Sequence, residues 1–163
     1  MQFYTTLPSR DSFVQLDQRQ LSHLLDVWPV ARLASVGPQQ QPHLVPIVFV
    51  ALDGAIYSPI DGKPKRDGIL QRMRNVAANT SVSLLLDHYD DDWDRLWWVR
   101  IDANAEVVVE PEAQVLQRVG TALRRKYPQY ASVDAFAGVP TLLRLQPNRH
   151  TAWSSRPVAW ESL

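Results

Sequence analysis

The sequence predicts one α+β domain in which a barrel or strongly curled, mostly antiparallel sheet is flanked by helices. Its 163 residues suit a single domain, and 45% of them are hydrophobic, which is enough for one core. Apolar patterns follow one another as helix, three strands, helix, two strands, helix and strand. Strands in hairpin succession pair antiparallel, and neither a repeat nor a linker divides residues 1–163. Without a G-x-G-x-x-G segment, a doubly wound dinucleotide fold is disfavoured.

The first half of the chain contains a capped helix and a strand meander. Asp17 is placed to cap a helix that Pro29 ends, with an apolar stripe at Leu21, Leu24, Leu25 and Trp28. Strands are predicted at 30–36, 43–52 and 55–59. Asp53-Gly54, between the last two, is typical of a type I′ hairpin turn.

The second half repeats the alternation of helix and strand. A helix is predicted from about Asp67 to Asn79, with its apolar face at Ile69, Leu70, Met73, Val76 and Ala77. Strands at 82–86 and 96–109 follow, and then a helix that Pro111 opens and Pro128 stops. A last strand at 141–145 leaves a tail that contains Trp153, Arg156 and Trp160.

Composition disfavours several classes of function. The 17 Lys and Arg residues balance the 17 Asp and Glu residues, so no overall charge draws the surface to nucleic acid or anionic lipid. Cysteine is absent, which excludes disulfides and thiolate chemistry. The longest apolar run, 44–52, is too short to span a membrane, so we expect a cytoplasmic protein. The carboxylates at 90–94 lack the spacing of an EF-hand loop, and no metal site is expected.

A basic segment lies between the third strand and the second helix. Lys63, Lys65 and Arg66 fall within four residues, next to Pro64. The fixed φ of the proline limits the freedom of the segment, so its cations lose less entropy on meeting a ligand. Cations beside the start of a helix are suited to hold a phosphate. Ordinary solvated loop residues remain the alternative interpretation.

The ordered set of short motifs around this segment resembles the pyridoxamine 5′-phosphate oxidase-like split β-barrel flavoproteins. The resemblance covers about residues 17–155 and is closest to the branch that uses the deazaflavin coenzyme F-420. It rests on Arg32-Leu-Ala-Ser-Val, Pro42-His-Leu-Val-Pro46, Ile56-Tyr-Ser58, Lys63-Pro-Lys-Arg66, Asn79-Thr-Ser-Val-Ser-Leu-Leu and the run from Asp87-His-Tyr through Leu96-Trp-Trp-Val-Arg100.

The resemblance implies a homodimer with FMN or the deazaflavin at the subunit interface. It assigns the phosphate end to Lys63, Lys65 and Arg66, polar contacts and lining to Arg32, Tyr57 and Ser58, and the ring pocket to Pro46. Trp97 and Trp98 alternate faces on their strand, and an outward one would suit a dimer contact or a wall for the ring. Which of the two faces outward stays open, and Trp97 is the one named as a candidate cofactor contact.

Some alternatives stay open at this point. The predicted helix after the basic segment is longer than in the oxidase proper, so Arg72 is another candidate for the phosphate. Trp153 and Arg156 fall where the oxidase has a Trp and an Arg that reach the partner's cofactor, although the local match is poor.

The expected function is hydride transfer between the bound cofactor and a small organic substrate. The cofactor carries this chemistry, which agrees with the lack of an identifiable catalytic acid–base pair. A non-catalytic carrier or sensor is the alternative, and oxidation of pyridoxamine phosphate itself has less support.

Overall fold

The computed structural model describes residues 13–60, 69–136 and 138–163. Within them, none of the helices has the length and apolarity needed to cross a membrane. The three α-helices are α1 (Gln18–Val27), α2 (Gln71–Ala78) and α3 (Ala113–Lys126). The strands are β1 (Phe13–Val14), β2 (Ala31–Val36), β3 (Pro42–Ile47), β4 (Val50–Leu52), β5 (Ala55–Pro59), β6 (Ser81–His88), β7 (Trp97–Val109) and β8 (Thr141–Ser154).

The strands form one antiparallel sheet in the order β3-β2-β6-β7-β8-β5-β4, and β1 pairs with β8. The first and last strands of this order, β3 and β4, are separated in the chain only by Val48 and Phe49. The sheet must therefore curl until its two ends meet. This confirms the predicted α+β split barrel with flanking helices.

The core fills the inside of the barrel and is closed by helices. Leu33, Leu84 and Ile101 are among the buried side chains that point inward from neighbouring strands. At one end, Trp97 meets Trp28 after α1 and Trp160 of the C-terminal 3₁₀ turn, with ring centroids 4.6 and 5.3 Å apart. A second core lies outside the barrel, where α3 covers a group of apolar side chains that includes Val50, Val119, Leu123 and Leu142.

The seam between β3 and β4 is held by Tyr127, the residue that follows α3. Its hydroxyl accepts a hydrogen bond from the Phe49 backbone N–H at 3.0 Å and lies 2.8 Å from the Phe49 carbonyl and 3.0 Å from the Pro29 carbonyl. Burial raises the pKa of Tyr127 to about 12, so it stays protonated. The Tyr127 hydroxyl thus hydrogen-bonds to backbone groups of Phe49 that are not paired within the β-sheet.

The main hydrogen-bonding order of the sheet ends at two edge strands, β3 and β4. The edge strand β3 contains Pro42 and Pro46, which cannot donate ladder hydrogen bonds and are tolerated at an edge. The other edge strand, β4, has three residues.

Local signals in the sequence located several element boundaries correctly. Asp17 accepts a hydrogen bond from the Gln20 backbone in a complete capping box. Asp53 and Gly54 have φ angles of 52° and 77°, as the type I′ turn requires.

Three predicted elements are corrected. The strand at 43–52 is two strands, because the chain crosses the seam at Val48 and Phe49. The helix expected from Asp67 begins at Gln71, and Ile69 is 64% exposed instead of lying on a buried face; Asp67 itself is outside the described residues. The last strand runs to Ser154 instead of ending at 145, since β8 pairs along the whole of β7.

We expect Tyr127→Phe to lower the free energy of unfolding by about 1–3 kcal/mol, because it leaves the buried Phe49 N–H without its acceptor. Urea unfolding followed by tryptophan fluorescence measures the change. Tyr89→Phe is the control, since Tyr89 is 80% exposed. Equal stability of the two variants would show that the hydroxyl does not hold the seam.

Candidate functional site

A groove runs along the outer face of the sheet, across β2, β6, β7 and the bulged part of β8. Its volume is about 380 Å³, within the range of about 300–1,000 Å³ that is usual for ligand pockets. Ala34, Ser81 and Ser83 contribute small side chains to its lining, so a ligand can approach the strands closely. The remaining lining residues are Ser35, Val36, Pro42, Val82, Asp102, Ala103, Asn104, Asn148 and Arg149.

The charged centre of the groove is Asp102. Its carboxylate accepts hydrogen bonds from Arg149 Nε at 2.7 Å and from Ser83 Oγ at 2.8 Å, and Arg100 Nε lies 3.3 Å away. The bond from Arg149, followed by that from Ser83, lowers the pKa of Asp102. The carboxylate is therefore a fixed anion, while the Arg149 side chain remains 72% exposed and can still reach a ligand.

A β-bulge shapes this part of the groove. Arg149 pairs with Asp102, whereas the next pair is Pro147 with Ala103, so Asn148 is an extra residue on β8. Bulges re-aim side chains and are frequent beside functional sites. Here the bulge places Asn148 and Arg149 together in the groove wall.

A second cleft, of about 360 Å³, lies between the sheet and the start of α3. Glu106, Arg144 and Tyr57 are consecutive register partners on β7, β8 and β5. Arg144 donates to Glu106 at 2.8 Å. This hydrogen bond, and to a smaller extent the one with Tyr57, raises the pKa of Arg144. This cleft therefore contains the predicted residue Tyr57 beside a neutralised ion pair.

The predicted site residues fall in different places. Arg32 and Pro46 are register partners on β2 and β3, and Arg32 donates to both carboxylate oxygens of Asp87, at 2.8 and 3.1 Å. Ser58 and Trp97 are buried inside the barrel, so neither is on the outer face. Their predicted contact with a cofactor stays untested, as does that of Tyr57.

The basic segment lies outside the described residues, so the placement of Lys63, Lys65 and Arg66 stays a prediction. The alternative cation, Arg72, lies on α2.

The two C-terminal candidates, Trp153 and Arg156, lie on the outer face of the sheet and at its border. Trp153 pairs with Trp98 on one side and with Phe13 on the other, and the rings of Phe13 and Trp98 are 6.3 Å apart. These three side chains form an aromatic row. Arg156 is paired with Asp94, its Nε lying 3.1 Å from a carboxylate oxygen.

The sequence reasoning did not single out the groove residues Asp102, Asn148 and Arg149. One signal was available: along β7, charged or polar residues at 100, 102, 104 and 106 alternate with apolar ones at 99, 101, 103 and 105. That alternation indicates a polar outer face on a half-buried strand. The bulge at Asn148, by contrast, depends on pairing with a strand more than forty residues away.

The acidic turn contains no metal site among the described residues, where no group of three or more possible ligands converges. Asp90 instead lies 2.9 Å from Arg95 and 3.4 Å from His88, and Asp92 accepts from the Asp94 backbone. The turn is thus stabilised by its own contacts.

Solved structures share this fold at low sequence identity. The heme storage protein HutZ of Vibrio cholerae has a TM-score of 0.65 and 18% identity, over 84% of this chain and 93% of that one. A FAD-binding protein of Mesorhizobium loti has a TM-score of 0.60 and 19% identity, over 86% and 94%. An F420 reductase has a TM-score of 0.52 and 16% identity, over 78% and 92%. At such identities the likeness shows the fold alone.

The family comparison is more specific. The sequence matches none of the curated proteins with which it was compared. The model of the pyridoxamine 5′-phosphate oxidase family, however, matches residues 18–154, a span that runs from α1 to the end of β8 and contains the groove. The chain therefore belongs to the pyridoxamine 5′-phosphate oxidase family.

Proposed function

We propose that this protein is an oxidoreductase that binds a flavin-type cofactor, FMN or the deazaflavin coenzyme F-420, and transfers a hydride between it and a small organic substrate. The family match over residues 18–154 carries this proposal, because it includes both the groove and the basic segment. The similar structures named FAD-binding protein and F420 reductase support a cofactor of this class.

The outer-face groove fits part of such a cofactor. Its small side chains, Ala34 and Ser83 among them, admit a flat group against the strands, and its rim offers donors from Arg149 and Asn148. The basic segment precedes α2 in the sequence, and Asn75 of α2 hydrogen-bonds to Ser35 of β2, whose neighbours Ala34 and Val36 line the groove. We therefore assign the phosphate to Lys63, Lys65 and Arg66, and the body of the cofactor to the groove.

The cofactor, when bound, supplies the hydride chemistry, and the chain supplies binding, orientation and exclusion of water. The carboxylate of Asp102 is occupied by Arg149 and Ser83, so it orients the groove wall and does not move a proton. Arg32 is held at a fixed orientation by Asp87, next to Pro46. This part of the outer face is thus preorganised.

A homodimer is part of the proposal. Arg32 is exposed on β2, whereas Tyr57 of β5 lines the separate cleft at the start of α3. A single cofactor can contact both residues more easily if a second subunit contributes one of them. The aromatic row and Leu44, which is 64% exposed, offer apolar surface for such a contact. We further propose a cytoplasmic protein without nucleic-acid or membrane partners, as the zero net charge supports.

A non-catalytic carrier or sensor is the second candidate. It is favoured by the pairing of Asp102, the carboxylate in the groove, which leaves this group unavailable for proton transfer. Oxidation of pyridoxamine phosphate has weaker support, because Arg156 is engaged with Asp94.

Replacing Lys63, Lys65 and Arg66 together by alanine should weaken binding of FMN or coenzyme F-420 by several kcal/mol, at about 1.5–3 kcal/mol for each charge-assisted contact. Fluorescence titration with each cofactor measures the loss. The control removes the same charge from α1 and α3 through Arg19→Ala, Arg118→Ala and Arg124→Ala. Equal affinity of the two triple variants would refute the phosphate assignment.

Filling the groove should also block the cofactor. Ala34→Tyr places a ring on the groove lining, and we expect at least about a tenfold loss of affinity, because the volume is near the lower limit for a ligand pocket. Val109→Tyr is the control, since Val109 is 56% exposed at the last position of β7 and is not among the lining residues. If both variants lost affinity equally, or if neither lost affinity, the cofactor would have to bind outside the groove.

Turnover distinguishes the enzyme from the carrier. Purified protein is loaded with reduced FMN or reduced coenzyme F-420, and a panel of small carbonyl and aromatic acceptors is added. We expect saturable oxidation of the cofactor, followed by absorbance, that depends on protein concentration and is lost in Ala34→Tyr. Tight binding without oxidation by any acceptor would favour the carrier.

A further inference from the structure

A buried polar network lies at the end of the groove, where α2 meets β2. Asn75 of α2 is 1% exposed. Its Nδ2 donates to Ser35 Oγ at 3.0 Å, and its Oδ1 accepts from Gln71 Nε2 at 2.7 Å. A buried amide is retained at little cost only when it is hydrogen-bonded, so this side chain has one well-defined orientation.

The turn between β2 and β3 is fitted to the same amide. A Cβ added to Gly37 would lie 2.9 Å from Asn75 Oδ1, closer than real Cβ contacts. Gly37 has no positive φ, so the close approach to Asn75, and not the backbone angle, requires glycine here. Asn75 therefore contacts β2 through Ser35 and the β2–β3 turn through Gly37.

These contacts lie directly behind one end of the groove, because Ser35 is buried and shares its face of β2 with Leu33, inside the barrel. Ser35 and Val36 line that end of the groove, and Pro42, the first residue after the turn, lines it too. A shift of α2 or of the turn would move these walls. Val76, the next residue on α2, is equally buried but packs into the apolar core of the barrel.

We propose that Asn75 is a positioning residue that fixes the end of the ligand groove by joining α2, β2 and the β2–β3 turn. This inference rests on the proposed binding of a flavin-type cofactor in the groove. Asn75 acts through Ser35 and Gly37 and is assigned no contact with the cofactor.

The test compares Asn75→Leu, which removes both hydrogen bonds while keeping the same number of side-chain heavy atoms, with Val76→Ala, which removes packing from the same turn of the helix. We expect Asn75→Leu to weaken binding of FMN or coenzyme F-420 by about tenfold, and Val76→Ala to weaken it by much less at a matched loss of thermal stability. Affinity losses that simply follow stability in both variants would overturn the proposal.

A double-mutant cycle with smaller substitutions provides a second measurement of the contact between Gly37 and Asn75. Gly37→Ala should weaken binding in the wild-type background, because its Cβ displaces the amide, and should have little effect in an Asn75→Ala background, where Oδ1 is gone. Independent, additive effects would contradict the proposed contact. Ser35→Ala, which keeps the fold packed, should reproduce part of the loss of affinity.

Failure of the two proposals can be told apart. If the wild-type protein binds neither cofactor, the proposed function fails and the groove role of Asn75 fails with it. Amide hydrogen exchange at Gly37 and Gln40 then still reports on the turn: faster exchange in Asn75→Leu than in Val76→Ala supports its fixation by Asn75, and equal exchange refutes it. If the wild type binds and Asn75→Leu binds equally well, only the positioning role is lost.

Discussion

The barrel depends on how the chain passes from one edge of its sheet to the other. Because β3 and β4 are the two ends of the hydrogen-bonding order, Val48 and Phe49 must join edges that do not pair with each other. The backbone of Phe49 is satisfied instead by the Tyr127 hydroxyl. Lys126 reinforces this junction, with its Nζ 3.7 Å from the centre of the Phe49 ring and 2.6 Å from the Leu25 carbonyl. One end of α3 therefore supports the closure of the whole barrel.

The position of the candidate site follows from that closure. Curling directs one face of every strand into the core, and α3, anchored at the seam, covers part of the other face. The outer face of β2, β6 and β7 carries small and charged side chains beside the groove. Ser83 and Arg149 both donate hydrogen bonds to Asp102, so the orientation of this carboxylate is fixed by its neighbours on the same face.

Features set by neighbouring residues could be predicted from the sequence. The cap at Asp17, the turn at Asp53-Gly54 and the helix after Pro111 depend on local backbone chemistry. The break at Val48 and Phe49 could not be predicted, because it lies within an apolar run and is set by Tyr127, far along the chain. Trp97 and Trp98 had to face opposite sides, but which one faces inward depends on the cluster with Trp28 and Trp160.

The candidate site was predicted less completely than the fold. The motif residues Arg32 and Pro46 do lie side by side, whereas Ser58 is inside the barrel. Nothing in the sequence distinguishes Asn75 from an ordinary polar residue of a helix, because Ser35 and Gly37, which it contacts, are distant in the chain.

The prolines of β3 have a consequence for how copies of this protein associate. An edge strand that accepts a neighbour must offer a regular row of N–H groups, and Pro42 and Pro46 interrupt that row. At the opposite edge, β4 is too short to serve as a template. Neither of these two strands therefore offers a regular template for continuing the sheet into another molecule, which disfavours edge-to-edge aggregation through them. At these two strands, contacts with another molecule would have to be made by side chains and not by backbone ladders.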